Sequence, residues 1–208
     1  MLLVLPMLVC MQPADKLGET LNSFEQQLQK LDEVIGAFPP NIKTKEELET
    51  VRGSYNKLLT SLDEAIKANP TVIQFLFQRG YLQSMGHNMD VPGAFEASAR
   101  DLALVVDRDP NHVPARIELG MLLVNAKAEL APKAEELFRR AQELSGNKPL
   151  EDAQRGIFFA LYYQGRMKSA LAQADLLVKN WPSVEQYSKL RQLTSDVLAR
   201  TSKAGPEK

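Results

Sequence analysis

The feature of this sequence that most constrains its fold is a series of prolines that interrupts helical sequence at regular intervals. The four breaks are Asn69-Pro70, Asp109-Pro110, Lys148-Pro149 and Trp181-Pro182. Successive prolines lie 40, 39 and 33 residues apart. Proline cannot continue an α-helix, because it lacks an amide hydrogen and its ring clashes with the preceding turn. Breaks at this spacing are typical of arrays of helix pairs, in which each pair buries its apolar side against its neighbours.

Between the breaks, apolar residues recur at three- and four-residue steps, as on the buried side of an amphipathic helix. The first such stripe comprises Leu17, Leu21, Phe24, Leu28, Leu31 and Ile35. The sequence FPPN at 38–41 ends this helix, and Thr44 with Glu47 has the spacing of a capping box that starts the next one. No stretch alternates apolar and polar residues as a strand does. The sequence therefore predicts an all-α protein.

Composition and motifs argue against several classes of function. The chain has 208 residues and a net charge of -1 without a run of Lys or Arg, which disfavours nucleic-acid binding. One cysteine and two histidines are too few for a metal site built from these residues. There is no Gly-rich phosphate loop and no hydrolase motif, and His87 with Asp90 is more simply a solvated loop pair than a catalytic base and its partner. We predict no enzymatic activity, no cofactor and no metal.

The first ten residues, MLLVLPMLVC, are apolar throughout but too short to span a bilayer. They have the length of the apolar part of a secretory signal, without the preceding positive charge. They also resemble a bacterial lipoprotein signal with Cys10 as the lipid acceptor, although Val9 stands where that signal has a small residue. A buried first element is the alternative, which Pro6 disfavours. We expect an export or anchoring segment in residues 1–13, a cell-envelope or periplasmic location, with the cytoplasm as the alternative, and membrane contact only through this segment.

Residues 113–146 carry the clearest repeat pattern. Leu119, Gly120 and Leu123 lie in its first predicted helix, and Ala134, Phe138 and Ala141 lie in its second. This pattern resembles the tetratricopeptide repeat (TPR), although Arg116 occupies the place of the family's Trp and the turn AELAP is about two residues too long.

Two other segments are similar to the same repeat. Residues 71–110 match through Gly80 and Pro110, with GHNMDVPG at 86–93 as a loop insertion of about six residues. Residues 151–182 match through Gly165, Ala170 and Pro182. Residues 44–70 look like the end of an earlier, degenerate repeat.

The resemblance implies a short right-handed superhelical array of antiparallel helix pairs. The predicted ranges are an apolar segment at 1–13, an N-terminal helix and linker at 14–43, TPR-like repeats at 44–182, a capping helix at 183–201 and a disordered tail at 202–208.

Gly120 lies in the middle of the helix-forming stretch IELGMLL, where glycine costs roughly 1 kcal/mol relative to alanine. We expect the close approach of another helix backbone to compensate. The resemblance implies a set of residues that pack the repeats: Gly80, Gly120, Ala134, Phe138, Ala141, Gly165 and Ala170. The alternative is a plain helical bundle in which Gly120 is a tolerated defect.

In TPR proteins the first helix of each repeat lines a concave groove that binds a protein partner. The resemblance implies that the groove is lined by Phe77, Tyr81, Ile117, Met121, Asn125, Arg155, Phe159 and Tyr162. These residues are mainly apolar, so we expect an apolar segment of a partner, or the chain's own C-terminal helix, to fill the groove, with Arg155 placing one acidic or carbonyl group. A purely core role is equally consistent with their residue types.

Two other functions remain open on the sequence alone. The chain could carry a small apolar ligand in a closed pocket, with GHNMDVPG as a lid. It could instead be a self-associating subunit of an envelope assembly, in which edge helices such as residues 15–38 pair between copies.

Overall fold

The computed structural model describes the backbone of residues 13–203 and the side chains of residues 16–200. Most of the predicted apolar segment, Cys10 included, lies outside the described residues. By its contacts the chain divides between Val91 and Pro92 into two compact units. Unit 1 ends at Val91 and unit 2 begins at Pro92.

In this described part the chain forms nine α-helices, one short 3₁₀ turn at Ala128–Leu130 and no strand. The helices, labelled α1 to α9 in chain order, are Pro13–Ile35, Lys45–Ala68, Ile73–Asn88, Ala94–Arg108, Val113–Ala126, Ala131–Leu144, Glu151–Tyr163, Met167–Asn180 and Glu185–Lys203. The predicted all-α class is confirmed. Between residues 13 and 203, none of these helices combines the length and the apolar character needed to cross a bilayer.

Unit 1 contains α1, α2 and α3, and α1 packs against both of the others. Its core is formed by four residues of the predicted stripe of α1, by facing residues of the other two helices and by Met89 directly after α3: Phe24, Leu28, Leu31, Ile35, Tyr55, Leu58, Leu62, Phe75, Leu82, Met85 and Met89. The predicted capping box is present, because Thr44 Oγ1 accepts from the Glu47 amide and Glu47 Oε2 accepts from the Thr44 amide. Helices α1 and α2 thus pack as a pair, whereas the sequence had indicated only the end of an earlier repeat.

The segment GHNMDVPG is only partly the predicted loop, because its first three residues are helical and its last five are not. Gly86 to Asn88 form the last turn of α3, and Met89 is buried. Asp90 then adopts a left-handed conformation, with φ of 57°. The Asp90 amide donates to His87 O at 3.1 Å and the Val91 amide donates to Gly86 O at 3.0 Å, which is the hydrogen-bond pattern of a Schellman helix end. A segment anchored in this way does not fit the role of a lid.

Unit 2 contains α4 to α9, and each helix packs against the next one in the chain. Helices α5 and α6 form the pair predicted within 113–146, and α7 and α8 form the pair predicted within 151–182. Helix α9 packs against α8, as the predicted capping helix should, and extends to Lys203. The expectation that the chain's own C-terminal helix fills the groove stays a prediction.

The ring of Phe138 on α6 explains why Gly120 is tolerated. A Cβ atom on Gly120 would lie 2.7 Å from Phe138 Cε1 and 2.8 Å from Cζ. Gly156 on α7 approaches the same two ring atoms even more closely. The predicted neighbour of Gly120 was a helix backbone, and the observed one is an aromatic ring. Gly156, which the sequence comparison of repeats missed, shares this role because α6 packs against both α5 and α7.

The other residues predicted to pack the repeats divide into two groups. Gly80, Ala134, Ala141 and Ala170 are buried in their helices. Gly165 is exposed and has φ of 70°, so it serves the turn after α7 and not the packing of helices.

A chain of glutamines also connects helices of unit 2. Gln154 Nε2 on α7 donates to Gln142 Oε1 on α6 at 2.8 Å. Gln173 Nε2 on α8 donates to Gln154 Oε1 at 2.5 Å. Because buried amides need partners, these bonds favour one register of the three helices over others.

Candidate protein-binding face

The two predicted binding residues of unit 1 lie together on α3. Phe77 and Tyr81 are half-buried, and their rings stack with centroids 6.3 Å apart and planes 4° apart. The Tyr81 hydroxyl donates to Asp32 Oδ1 on α1 at 2.6 Å. Two turns further along α3, Asn88 Nδ2 donates to Ile35 O at 2.9 Å. This side of α3 therefore bonds to α1. A core role for Phe77 and Tyr81 explains this arrangement as well as a binding role does.

In unit 2, the predicted residues of α5 share one side of the helix. Ile117 and Met121 are half-buried and Asn125 is exposed, at steps of four residues. The opposite side is buried and includes Ala115, Leu119 and Leu122. Helix α5 therefore presents a narrow apolar strip to solvent, which ends in an amide side chain.

Helix α7 presents the aromatic residues that the sequence had singled out. Phe159 and Tyr162 are half-buried, whereas Tyr163, which was absent from the predicted set, is 46% exposed. Phe158 is buried and contacts Phe159 at a centroid distance of 5.3 Å and Tyr162 at 6.0 Å. Tyr163 contacts Phe159 at 6.3 Å and Tyr162 at 6.0 Å. These four rings form a continuous cluster that runs from the core to the surface.

Helices α5 and α7 lie side by side in contact, so their exposed strips are neighbours. We call this surface the α5/α7 face and define it by Ile117, Met121, Asn125, Arg155, Phe159, Tyr162 and Tyr163. The hydroxyls of Tyr162 and Tyr163 form no hydrogen bond with any group in the described part of the chain, whereas that of Tyr81 is bonded internally. The face therefore offers two hydroxyl groups that another molecule can use.

Arg155 is the charged residue of the face, and it is already engaged. Its Nη2 donates to Asp152 Oδ1 at 2.7 Å, one turn away on α7. Tyr187 of α9 donates its hydroxyl hydrogen to Glu151 Oε1 at 2.6 Å. Burial, followed by this hydrogen bond and the charge of Glu151, raises the pKa of Tyr187 to about 12, although nearby Arg155 acts in the opposite direction. Arg155 can receive an acidic or carbonyl group only by sharing or leaving Asp152.

Two clefts of unit 2 lie elsewhere and are open. The larger, about 790 Å³, is bordered mainly by charged side chains of α6 together with Val106 and Arg116. The smaller, about 290 Å³, lies over Ile157, Gln173 and Leu176. Neither includes a residue of the α5/α7 face, and neither is the closed apolar pocket that a small-ligand carrier needs.

No family model matches the sequence, and no curated protein does. Among solved structures, the chain is similar to a tetratricopeptide repeat protein from Parabacteroides merdae ATCC 43184, with a TM-score of 0.60. The match covers 92% of this chain and 70% of the other at 18% sequence identity. This chain has a TPR-like fold. The likeness concerns the fold alone, because the identity is low, and it confirms the predicted all-α, TPR-like array.

The TPR-like fold gives the α5/α7 face its position. Helices α5 and α7 are the first helices of two successive pairs, and α6 and α8 are the second helices. The exposed strips of the two first helices therefore combine into one surface. The binding role of the predicted residues on this surface stays a prediction.

Proposed function

We propose that this TPR-like protein is a non-enzymatic scaffold that binds an apolar segment of a protein partner on the α5/α7 face. The observation that carries the proposal is the four-ring cluster of α7, which ends in the exposed ring of Tyr163 and in two hydroxyls that form no hydrogen bond with the described residues. Tyrosine is enriched at protein interfaces because one residue supplies both apolar area and a hydrogen-bonding group.

The size of the effect follows from the exposed area of Tyr163. An aromatic side chain has roughly 200 Å² of surface, so an exposure of 46% leaves about 90 Å² to be covered. At roughly 25 cal/mol per Å², covering this area contributes about 2 kcal/mol to binding. Such a contribution is that of an interface hot spot. Phe159, Tyr162 and Met121 add further area around this centre.

The experiment is a selection of peptides from a random display library on the full chain, followed by affinity measurements on the selected peptides. Tyr163→Ala should weaken binding at least tenfold. Leu176→Ala is the matched control, since Leu176 is 45% exposed on α8 but lies outside the face. Both variants should keep the helical circular dichroism and melting temperature of the parent. Peptides that bind Tyr163→Ala as tightly as the parent would refute the proposed face.

A separate proposal concerns where the protein works. We propose that residues 1–13 direct it to the cell envelope, with lipid attachment at Cys10, because this stretch is apolar and resembles a lipoprotein signal. The mass of the intact protein from its native host would show cleavage or a lipid. Cys10→Ser protein that still partitions with membranes would contradict lipid attachment.

A further inference from the structure

The buried carboxylate of Glu135 on α6 lies at the centre of a polar cluster. Glu135 is 8% exposed. Its Oε2 accepts from Gln164 Nε2 and from Arg166 Nη1, each at 2.8 Å. Its Oε1 accepts from Arg139 Nε at 2.8 Å, one turn further along α6. Both carboxylate oxygens of one α6 residue are therefore occupied, and two of the three donors come from outside α6.

Those two donors flank the turn that ends α7. Gln164 and Arg166 stand on either side of Gly165, which has φ of 70°. The Gly165 amide donates to Tyr162 O and the Arg166 amide donates to Leu161 O, each at 3.0 Å. This turn thus begins directly after Tyr163, and its amides donate to the backbone carbonyls of Leu161 and Tyr162.

The charge of Glu135 is maintained by the same contacts. Burial alone would raise the pKa of this carboxyl, but hydrogen bonds from Gln164 and Arg139, with the charges of Arg139 and Arg166, hold the pKa below its usual value. At neutral pH the cluster therefore joins α6 to the α7–α8 turn through charge-assisted bonds, which are stronger than neutral ones.

We propose that Glu135 is a positioning residue for the α5/α7 face: it fixes the turn after α7 and, through it, the place of Tyr162 and Tyr163. The Glu135 side chain bonds to Arg139, Gln164 and Arg166, and so it acts on the two rings through the turn. The consequence for binding rests on the function proposed above, whereas the effect on the tyrosines does not.

The test compares Glu135→Gln with Glu143→Gln in the full chain. Glu143 is a matched control, since it is exposed on the same helix and pairs with Arg140 at 3.0 Å. Hydrogen exchange of the backbone amides of residues 161–166 should accelerate about tenfold in Glu135→Gln, because bonds to a charged group are lost, and should not change in Glu143→Gln.

Aromatic NMR with labelled tyrosine reports on the tyrosine rings directly. A merely structural role of Glu135 would not change the ring signals of Tyr162 and Tyr163. The ring signals of Tyr162 and Tyr163 should shift or broaden in Glu135→Gln, while those of Tyr187, in the same unit, stay unchanged. Arg166→Gln should reproduce the effect and serves if Glu135→Gln does not fold. Unchanged exchange and unchanged signals of Tyr162 and Tyr163 would overturn the inference.

Affinity for peptides selected on the parent chain separates the two proposals. We expect Glu135→Gln to bind these peptides several-fold more weakly than the parent and Glu143→Gln to bind them equally well. Displaced tyrosines with full affinity would overturn the positioning role in binding, and Tyr163→Ala would decide separately on the proposed face. If the selected peptides bind Tyr163→Ala as tightly as the parent, the proposed function is overturned. The hydrogen-exchange and NMR results would still decide whether Glu135 positions the rings.

Discussion

Replacing Gly156 with alanine places a methyl group against the ring of Phe138, which is fully buried. Carbon atoms in contact lie about 3.5–4.0 Å apart. The corresponding methyl on Gly120 would lie 2.7 Å from the nearest ring atom, and the one on Gly156 would lie nearer still. Because both glycines approach the same end of the ring, a movement away from one side is limited by the other. The ring or a helix must therefore shift.

The net effect is the difference between two terms. Overpacking of a well-packed core costs about 1–3 kcal/mol, and the closeness of the contact places Gly156→Ala in the upper part of that range. Alanine in a helix gains about 1 kcal/mol over glycine. We therefore expect a net loss of about 1–2 kcal/mol. For a chain of this length, each kcal/mol corresponds to about 2–4 °C in melting temperature.

The matched control is Gly53→Ala on α2. Gly53 is exposed, and nothing lies within 4 Å of the position of its Cβ. The same substitution should stabilise there by about 0.5–1 kcal/mol, since only the backbone term changes. The assay is urea unfolding followed by circular dichroism. Opposite signs at the two positions are the expected result.

A double variant identifies the cause of the loss. In a Phe138→Leu background the smaller side chain leaves room for the methyl group, so Gly156→Ala should cost clearly less than it does in the parent. If Gly156→Ala stabilises the parent as much as Gly53→Ala does, the contact with Phe138 is not tight and the argument fails.

Three further predictions concern the helix ends and the N-terminus. Burial lowers the pKa of His112 despite the charge of Asp109, and His112 Nδ1 accepts from the Ala115 amide at 3.1 Å to cap α5. This stabilisation should be complete above the pKa of histidine in the unfolded chain, about 6.5, and should be lost as the pH falls through the lower pKa of His112 in the folded chain. Urea titrations at several pH values measure this dependence, and His112→Asn should lack it. Asp90→Gly should stabilise by about 0.5–1 kcal/mol, because glycine adopts a φ of 57° without strain, and a lower melting temperature would contradict this. Deletion of residues 1–12, which precede α1, should leave the melting temperature unchanged, and a large loss would show that they belong to the core.

Part of the candidate site was accessible from the sequence. The spacing of Arg155, Phe159 and Tyr162 placed them on one side of a helix, where the structure has them. Tyr163 was missed because it follows Tyr162 directly and falls at the edge of that side. The bond between Arg155 and Asp152 has the three-residue spacing of a helical ion pair, and that spacing could have revealed it.

The sequence by itself determined the helical class, the main breaks and the cap at Thr44. Each of these depends on residues within one or two turns of each other, through apolar periodicity, proline geometry and side-chain bonds to nearby amides. Only the tertiary structure decided that Gly120 and Gly156 share the ring of Phe138, and that Glu135 clamps Gln164 and Arg166, which lie 29 and 31 residues further along the chain. Such contacts depend on how neighbouring helices cross and which rotamers then fit between them, and no local pattern specifies either.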